Sequence, residues 1–159
     1  MNALAIVIGV AAAGLVIIAI IGILAAIAIP NLLTAMERSK QKRTMADIRT
    51  VATALEAYGT DHEQEDYPPG STVEDLRSHL QPTYVKTVPA LDGWATPMRY
   101  MPLAERGYVI VSAGKDKTFQ FEPDQYTPGT TTQNFDCDIV FANGTFIQYP
   151  DDIQSGGGR

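Results

Sequence analysis

The chain has 159 residues, 12 basic and 18 acidic side chains, a formal charge of −6 and one cysteine. An acidic surface is repelled by phosphate backbones, so broad electrostatic binding to nucleic acid is excluded. A lone Cys137 rules out an internal disulfide framework or a Cys-rich zinc site, and two histidines, His62 and His79, leave little for triad or metalloenzyme chemistry.

The charge is unevenly spread. Residues 1–36 contain no Asp, Glu, Lys or Arg, residues 37–43 carry four basic groups and one acid, and residues 44–159 carry a net −9. Ala3 to Ile29 is an uninterrupted run of Ala, Ile, Val, Leu and Gly. At ~1.5 Å per helical residue it reaches about 40 Å, more than the ~30 Å of a hydrocarbon core. No basic n-region precedes it and its apolar core is too long for a cleavable secretory signal, so it is expected to be retained. Small residues, among them Gly14 and Gly22, permit close helix–helix approach where apolar burial adds no drive in lipid. Pro30 removes a helical hydrogen bond. Beyond it Met45, Ile48, Val51, Ala52, Leu55 and Tyr58 still recur at helical spacing. The spacing predicts one long kinked helix over about residues 2–58, on the order of 85 Å.

The segment GTDHEQEDYPPG that follows reads as a loop, and Ser71-Thr72-Val73-Glu74 as a capping box opening a short helix near Thr72–Leu80. Pro89, Gly93 and Pro97 punctuate a turn-rich connection around Trp94, which is read as a packing anchor. Strands are expected at Met98–Met101, Tyr108–Ser112, Ile139–Ala142 and Thr145–Gln148, the last two joined by the hairpin turn Asn143-Gly144. Asn143-Gly144-Thr145 is also a formal glycosylation sequon, although turn chemistry already accounts for it. Cys137 is expected to be small and buried. The fold class is α+β: a spine helix packed on a small antiparallel sheet. The chain divides into an apolar half-helix (1–30), an amphipathic half-helix (31–58), a globular head (59–151) and a flexible tail (152–159). No catalytic constellation is evident, so no enzyme activity is expected.

The run AIIGILAAIAIPNLLTAMERSKQKRTMADIRTVATALEAYGTD at Ala19–Asp61 resembles the spine helix of type IV pilins and type II secretion pseudopilins. LDGWATPMRYM, GYVIVSAGKDK and FDCDIVFANGTFIQYPD resemble head segments of the same superfamily, the first favouring the major pseudopilin branch. The family's Phe and Glu, aligned on Pro30, fall at Gly9 and Ala13, and both are absent. The charge pairing that the Glu provides at assembly, and the leader-peptidase step, are therefore open. The resemblance implies a subunit of a helical filament, most like a secretion pseudopilin, with a true type IV pilin as the near alternative. A single-pass anchored binding module that does not polymerise is the alternative of another class. Implied partners are other copies of the chain, membrane lipid before assembly, an inner-membrane assembly platform, a prepilin peptidase and an assembly ATPase. The implied location is the inner membrane, then a periplasmic or extracellular filament. The positive-inside rule, applied to Arg38, Lys40, Lys42 and Arg43, points the other way, placing the head in the cytoplasm; the resemblance is preferred. Gly14, Gly22, Pro30 and these four cations are the candidate assembly residues. No cofactor is read from the residues themselves. By resemblance, calcium is a candidate, held by Asp116, Asp136 and Asp138 with the Ala113 carbonyl, all bordering a long loop, Lys115–Phe135. Hard oxygen ligands gathered from a loop suit that ion.

Overall fold

The computed structural model describes residues 3–62, 67–104, 107–121, 130–132 and 134–150. Helix α1 runs Ala3–Asp61 with Pro30 inside it, three residues beyond the expected end. The chain separates into two compact units, Met1–Glu37 and Arg38–Arg159.

In the second unit α1 presents one stripe to the core. Met45, Ile48, Val51, Ala52, Ala54 and Leu55 are buried, and Gln41 and Thr44 extend the stripe backwards. Steps of three and four residues keep these side chains on one face. A 3-10 turn, Val73–Leu76, and a single-turn helix α2, Arg77–Leu80, add Val73, Leu76 and Leu80 to the same core. The cap lies one residue later than expected. Thr72 is the N-cap, and Asp75, not Glu74, reaches back to accept hydrogen bonds from the main-chain N–H of Thr72 (2.9 Å) and Ser71 (3.0 Å).

Five strands form the sheet: β1 (Arg99–Leu103), β2 (Gly107–Ser112), β3 (Thr130–Thr132), β4 (Ile139–Ala142) and β5 (Thr145–Pro150). They lie in the order β1-β2-β4-β5-β3. The pairs β1/β2, β2/β4 and β4/β5 are antiparallel, and β3 pairs in parallel with β5. The expected small antiparallel sheet is present, with β3 added in parallel at its edge, and β3 interrupts the expected loop over 115–135. Three threonines between Gly129 and Gln133 have strand propensity but no alternating apolar residue to announce it. The β4/β5 turn is the predicted one, with Asn143 at φ 45° and Gly144 at φ 86°.

Alternation along the strands builds two cores. Tyr108, Ile110, Ile139, Phe141 and Phe146 face the α1 stripe together with Tyr100. Val109, Val111, Val140, Ala142 and Ile147 face outward, yet are also buried. Their cover comes from Met101, Phe119 and Phe121, so residues 115–121 act as a strap over the outer face. The Arg99 guanidinium lies 3.9 Å from the centre of the Phe119 ring and holds that ring by cation–π attraction. Cys137 is half-buried in the turn before β4, not in the core, because the strand begins only at Ile139. The expected tail, 152–159, lies outside the described residues, as do residues 63–66 of the expected loop.

Candidate functional site

Three places in the chain carry polar or apolar groups that the cores do not explain. The first is the apolar half of α1. From residue 15 to residue 36 its large side chains stand exposed, Leu15 at 69% and Ile18 at 67% among them. It is a helix long and apolar enough to cross a membrane. A Cβ placed on Gly14 or Gly22 would meet nothing within 4 Å, so nothing among the described residues accounts for either glycine. At Pro30 the ring forfeits a helical N–H, and the Thr34 hydroxyl donates to the Pro30 carbonyl at 3.0 Å. Arg38, Lys42 and Arg43 are exposed and Lys40 is half-buried. Arg43 Nε lies 3.5 Å from Asp47 Oδ2, an intrahelical ion pair of the i,i+4 kind. Arg38 and Lys40 engage neighbours as well.

The second place is the loop over Leu91–Pro97, where the carboxylate of Asp92 is buried. Its Oδ1 accepts from the N–H of Trp94 (2.9 Å) and Thr96 (2.8 Å), and its Oδ2 from the Ser112 hydroxyl (2.7 Å). Three donors satisfy this buried carboxylate. The adjacent Gly93 N–H donates to the Thr44 hydroxyl of α1 at 2.8 Å, while that hydroxyl donates to the Lys40 carbonyl at 2.9 Å. A Cβ at Gly93 would overlap the Lys40 carbonyl oxygen and come within 2.9 Å of its carbon. This loop is therefore the clasp between spine and head. The sequence did not single out Asp92; the signal available was a carboxylate two and four residues ahead of N–H groups in a turn, the Asx pattern.

The third place is the end of the sheet where the predicted aspartates lie. Asp138 is fully buried. Its Oδ2 accepts from the N–H of Gln120 (2.8 Å) and Phe121 (2.7 Å), which ties the strap down. Its Oδ1 is buried with no hydrogen-bond partner. Burial pushes the Asp138 carboxyl up; the N–H groups of Phe121 and Gln120 pull it down, Asp116 raises it and Arg99 lowers it. Asp116 is exposed, with Oδ1 accepting from Thr118 N–H (2.9 Å) and Oδ2 from Gln120 Nε2 (3.0 Å). Asp136 joins through its main-chain carbonyl, which accepts from Gln120 Nε2 at 3.3 Å. The turn that carries these groups needs Gly114, at φ +67°, where a Cβ would lie 2.7 Å from the Cys137 carbonyl oxygen. Asp116 and Asp138 are thus brought to one place. The Asp136 carboxylate is not held there, and no three acidic, His or Cys side chains among the described residues converge as a metal cluster. The oxygens present suit a hard cation: an unpartnered buried carboxylate oxygen is the kind of group that such an ion satisfies. Gln120, which touches all three, was not visible from sequence, because it acts through an amide that has no charge to mark it.

A continuous spine helix, apolar at one end and striped at the other, laid on a small sheet defines the pilin class of α+β protein. The family described as type II secretion system (T2SS), protein G, matches residues 31–126. The type II secretion system core protein G of Escherichia coli (strain K12) is 32% identical over 124 residues, covering 69% of this chain and 82% of that one. The core protein G of Vibrio cholerae is 29% identical over 105 residues, covering 61% and 71%. That of Aeromonas hydrophila is 29% identical over 114 residues, covering 64% and 78%. No solved structure matches the chain. The chain belongs to the type II secretion system protein G family.

Proposed function

We infer that the chain is the structural subunit of a helical secretion filament, the pseudopilus of a type II secretion system. The observation that carries this reading is a contrast inside one helix. The head completes its own core with the stripe from Met45 to Leu55, whereas the large apolar side chains from Leu15 to Met36 have no cover among the described residues. Apolar surface of that extent is stable only in lipid or against other apolar helices. Membrane lipid serves before assembly, and other copies of the same segment serve afterwards. Each copy uses one surface against a different surface of the next, a contact that does not close and therefore grows into a fibre. The assembly platform, the prepilin peptidase and the ATPase are the partners that such a subunit requires, and the periplasm is where its filament would stand.

The test is assembly itself. Full-length chain purified in detergent and then freed of it should form fibres visible by negative stain, and bis-maleimide cross-linking through a cysteine placed at Gly22 should give a ladder of multimers. Dispersed monomers with no ladder would overturn the reading in favour of a solitary anchored module.

We propose in addition that Asp138 and Asp116, with the Asp136 carbonyl, hold a calcium ion at the end of the sheet. The unpartnered Asp138 Oδ1 supports this reading. Bound there, calcium would supply a positive charge that neutralises neighbouring carboxylates and ties the strap to the sheet. Saturating calcium should raise the head's melting temperature, and a temperature indifferent to calcium would remove the site.

A further inference from the structure

The same end of the sheet contains a side chain whose placement the calcium reading leaves unused. Gln120 reaches each of the three predicted aspartates at once. Its Nε2 donates to Asp116 Oδ2 at 3.0 Å and to the Asp136 carbonyl at 3.3 Å, and its main-chain N–H donates to Asp138 Oδ2 at 2.8 Å. A side-chain NH2 offers two N–H groups of positive partial charge, which makes it the nearest uncharged substitute for a cation. Here it sits between a carboxylate and a carbonyl oxygen, two acceptors that would otherwise repel. The anchorage of the strap does not depend on that amide. Asp138 holds the strap through the N–H groups of Gln120 and Phe121, and Phe119 lies under Arg99. The Gln120 residue is exposed, so its side chain can swing into solvent while the main chain stays in place.

We propose that Gln120 is an internal plug of the cation site. Its amide holds the Asp116 and Asp136 oxygens together when no ion does, and it must leave before calcium can take them. The inference rests on the calcium reading above and adds a competitor built into the chain. Affinity for calcium is lowered by whatever the two amide hydrogen bonds contribute, and two bonds of ordinary net strength correspond to about thirtyfold.

The experiment is calcium titration of the full-length protein in detergent, stripped with a chelator, followed by calorimetry and by thermal unfolding without calcium. The variant Gln120→Met keeps the length of the side chain and removes both donors. It should bind calcium about thirtyfold more tightly than the parent chain, and it should melt at a lower temperature when calcium is absent. Binding that is unchanged or weaker in Gln120→Met overturns the plug while leaving the calcium reading intact. Absence of binding in the parent chain itself overturns the calcium reading and the plug with it. Should Gln120→Met fail to fold, Gln120→Ala serves the same purpose, since it removes both donors and adds no ligand oxygen. Tighter calcium binding by Gln120→Ala supports the plug, and a response equal to that of the parent chain overturns it.

Discussion

At Gly93 the main chain passes so close to α1 that a single methyl group would enter the Lys40 carbonyl, which is backbone and cannot step aside. Gly93→Ala should therefore lower the stability of the head by about 1–3 kcal/mol, the usual cost of overpacking, or more. Urea unfolding followed by the fluorescence of Trp94, the chain's single tryptophan, reads the change directly. Asp75 is a second residue with a local consequence. Hydrogen bonds from the Ser71 and Thr72 N–H groups hold its carboxyl below the ordinary value of 3.8. A depressed folded value means that the unfolded chain binds the proton more readily, so the cap's contribution is present above pH 3.8 and is lost as pH falls through the lower value. Asp75→Asn should flatten the acid end of the melting-temperature profile and leave its alkaline end unchanged. Tyr100 and Tyr108 act at that other end. Burial raises both phenols well above 10.0, with hydrogen bonding to Glu56 adding to Tyr108. The native state then keeps protons that the unfolded chain releases. Stability should fall as pH rises past 10, and Tyr108→Phe should blunt that fall in an alkaline melting series.

As an element, α1 serves two environments, and substitutions along it should divide accordingly. Leu55 is fully buried against the sheet, and Leu55→Ala should cost roughly 2–5 kcal/mol of head stability with a cavity left behind. Gly22→Ala meets no atom among the described residues, so its monomer should melt like the parent. Gly22→Leu should also leave the head's melting temperature alone yet reduce fibre yield, because the bulk appears only where another helix approaches. Unfolding curves and counts of fibres on the same preparations separate the two effects. The sheet has its own division of labour. Tyr108–Val111 and Ile139–Ala142 are apolar without alternation, the pattern of strands buried on both faces, but what covers Val109, Val111 and Val140 is not marked in the sequence. They are buried because the strap returns over them, a long-range event that no local pattern records.

On the scale of the whole molecule, a head of acidic character joined to an oily rod gives a chain that folds one part by itself and leaves the other for its neighbours. The apolar run, the stripe, the capping motif within one residue and the Asn143-Gly144 turn were all readable in order along the chain. Each depends on residues close in sequence, where spacing alone fixes which side chains share a face. Those local signals, with the family's own segments, were enough to set the α+β class and the filament role. Other features were decided only by tertiary structure. Thr44 meets Gly93 across 49 positions, and Asp138 meets Gln120 and Phe121 across 18 and 17. The parallel strand β3 joins β5 in the same long-range way. Such contacts follow from how the sheet closes around α1 and bring together groups that carry no mark of each other in the sequence. For that reason neither the Gln120 contacts with Asp116, Asp136 and Asp138 nor the clasp at Asp92 was legible in the sequence.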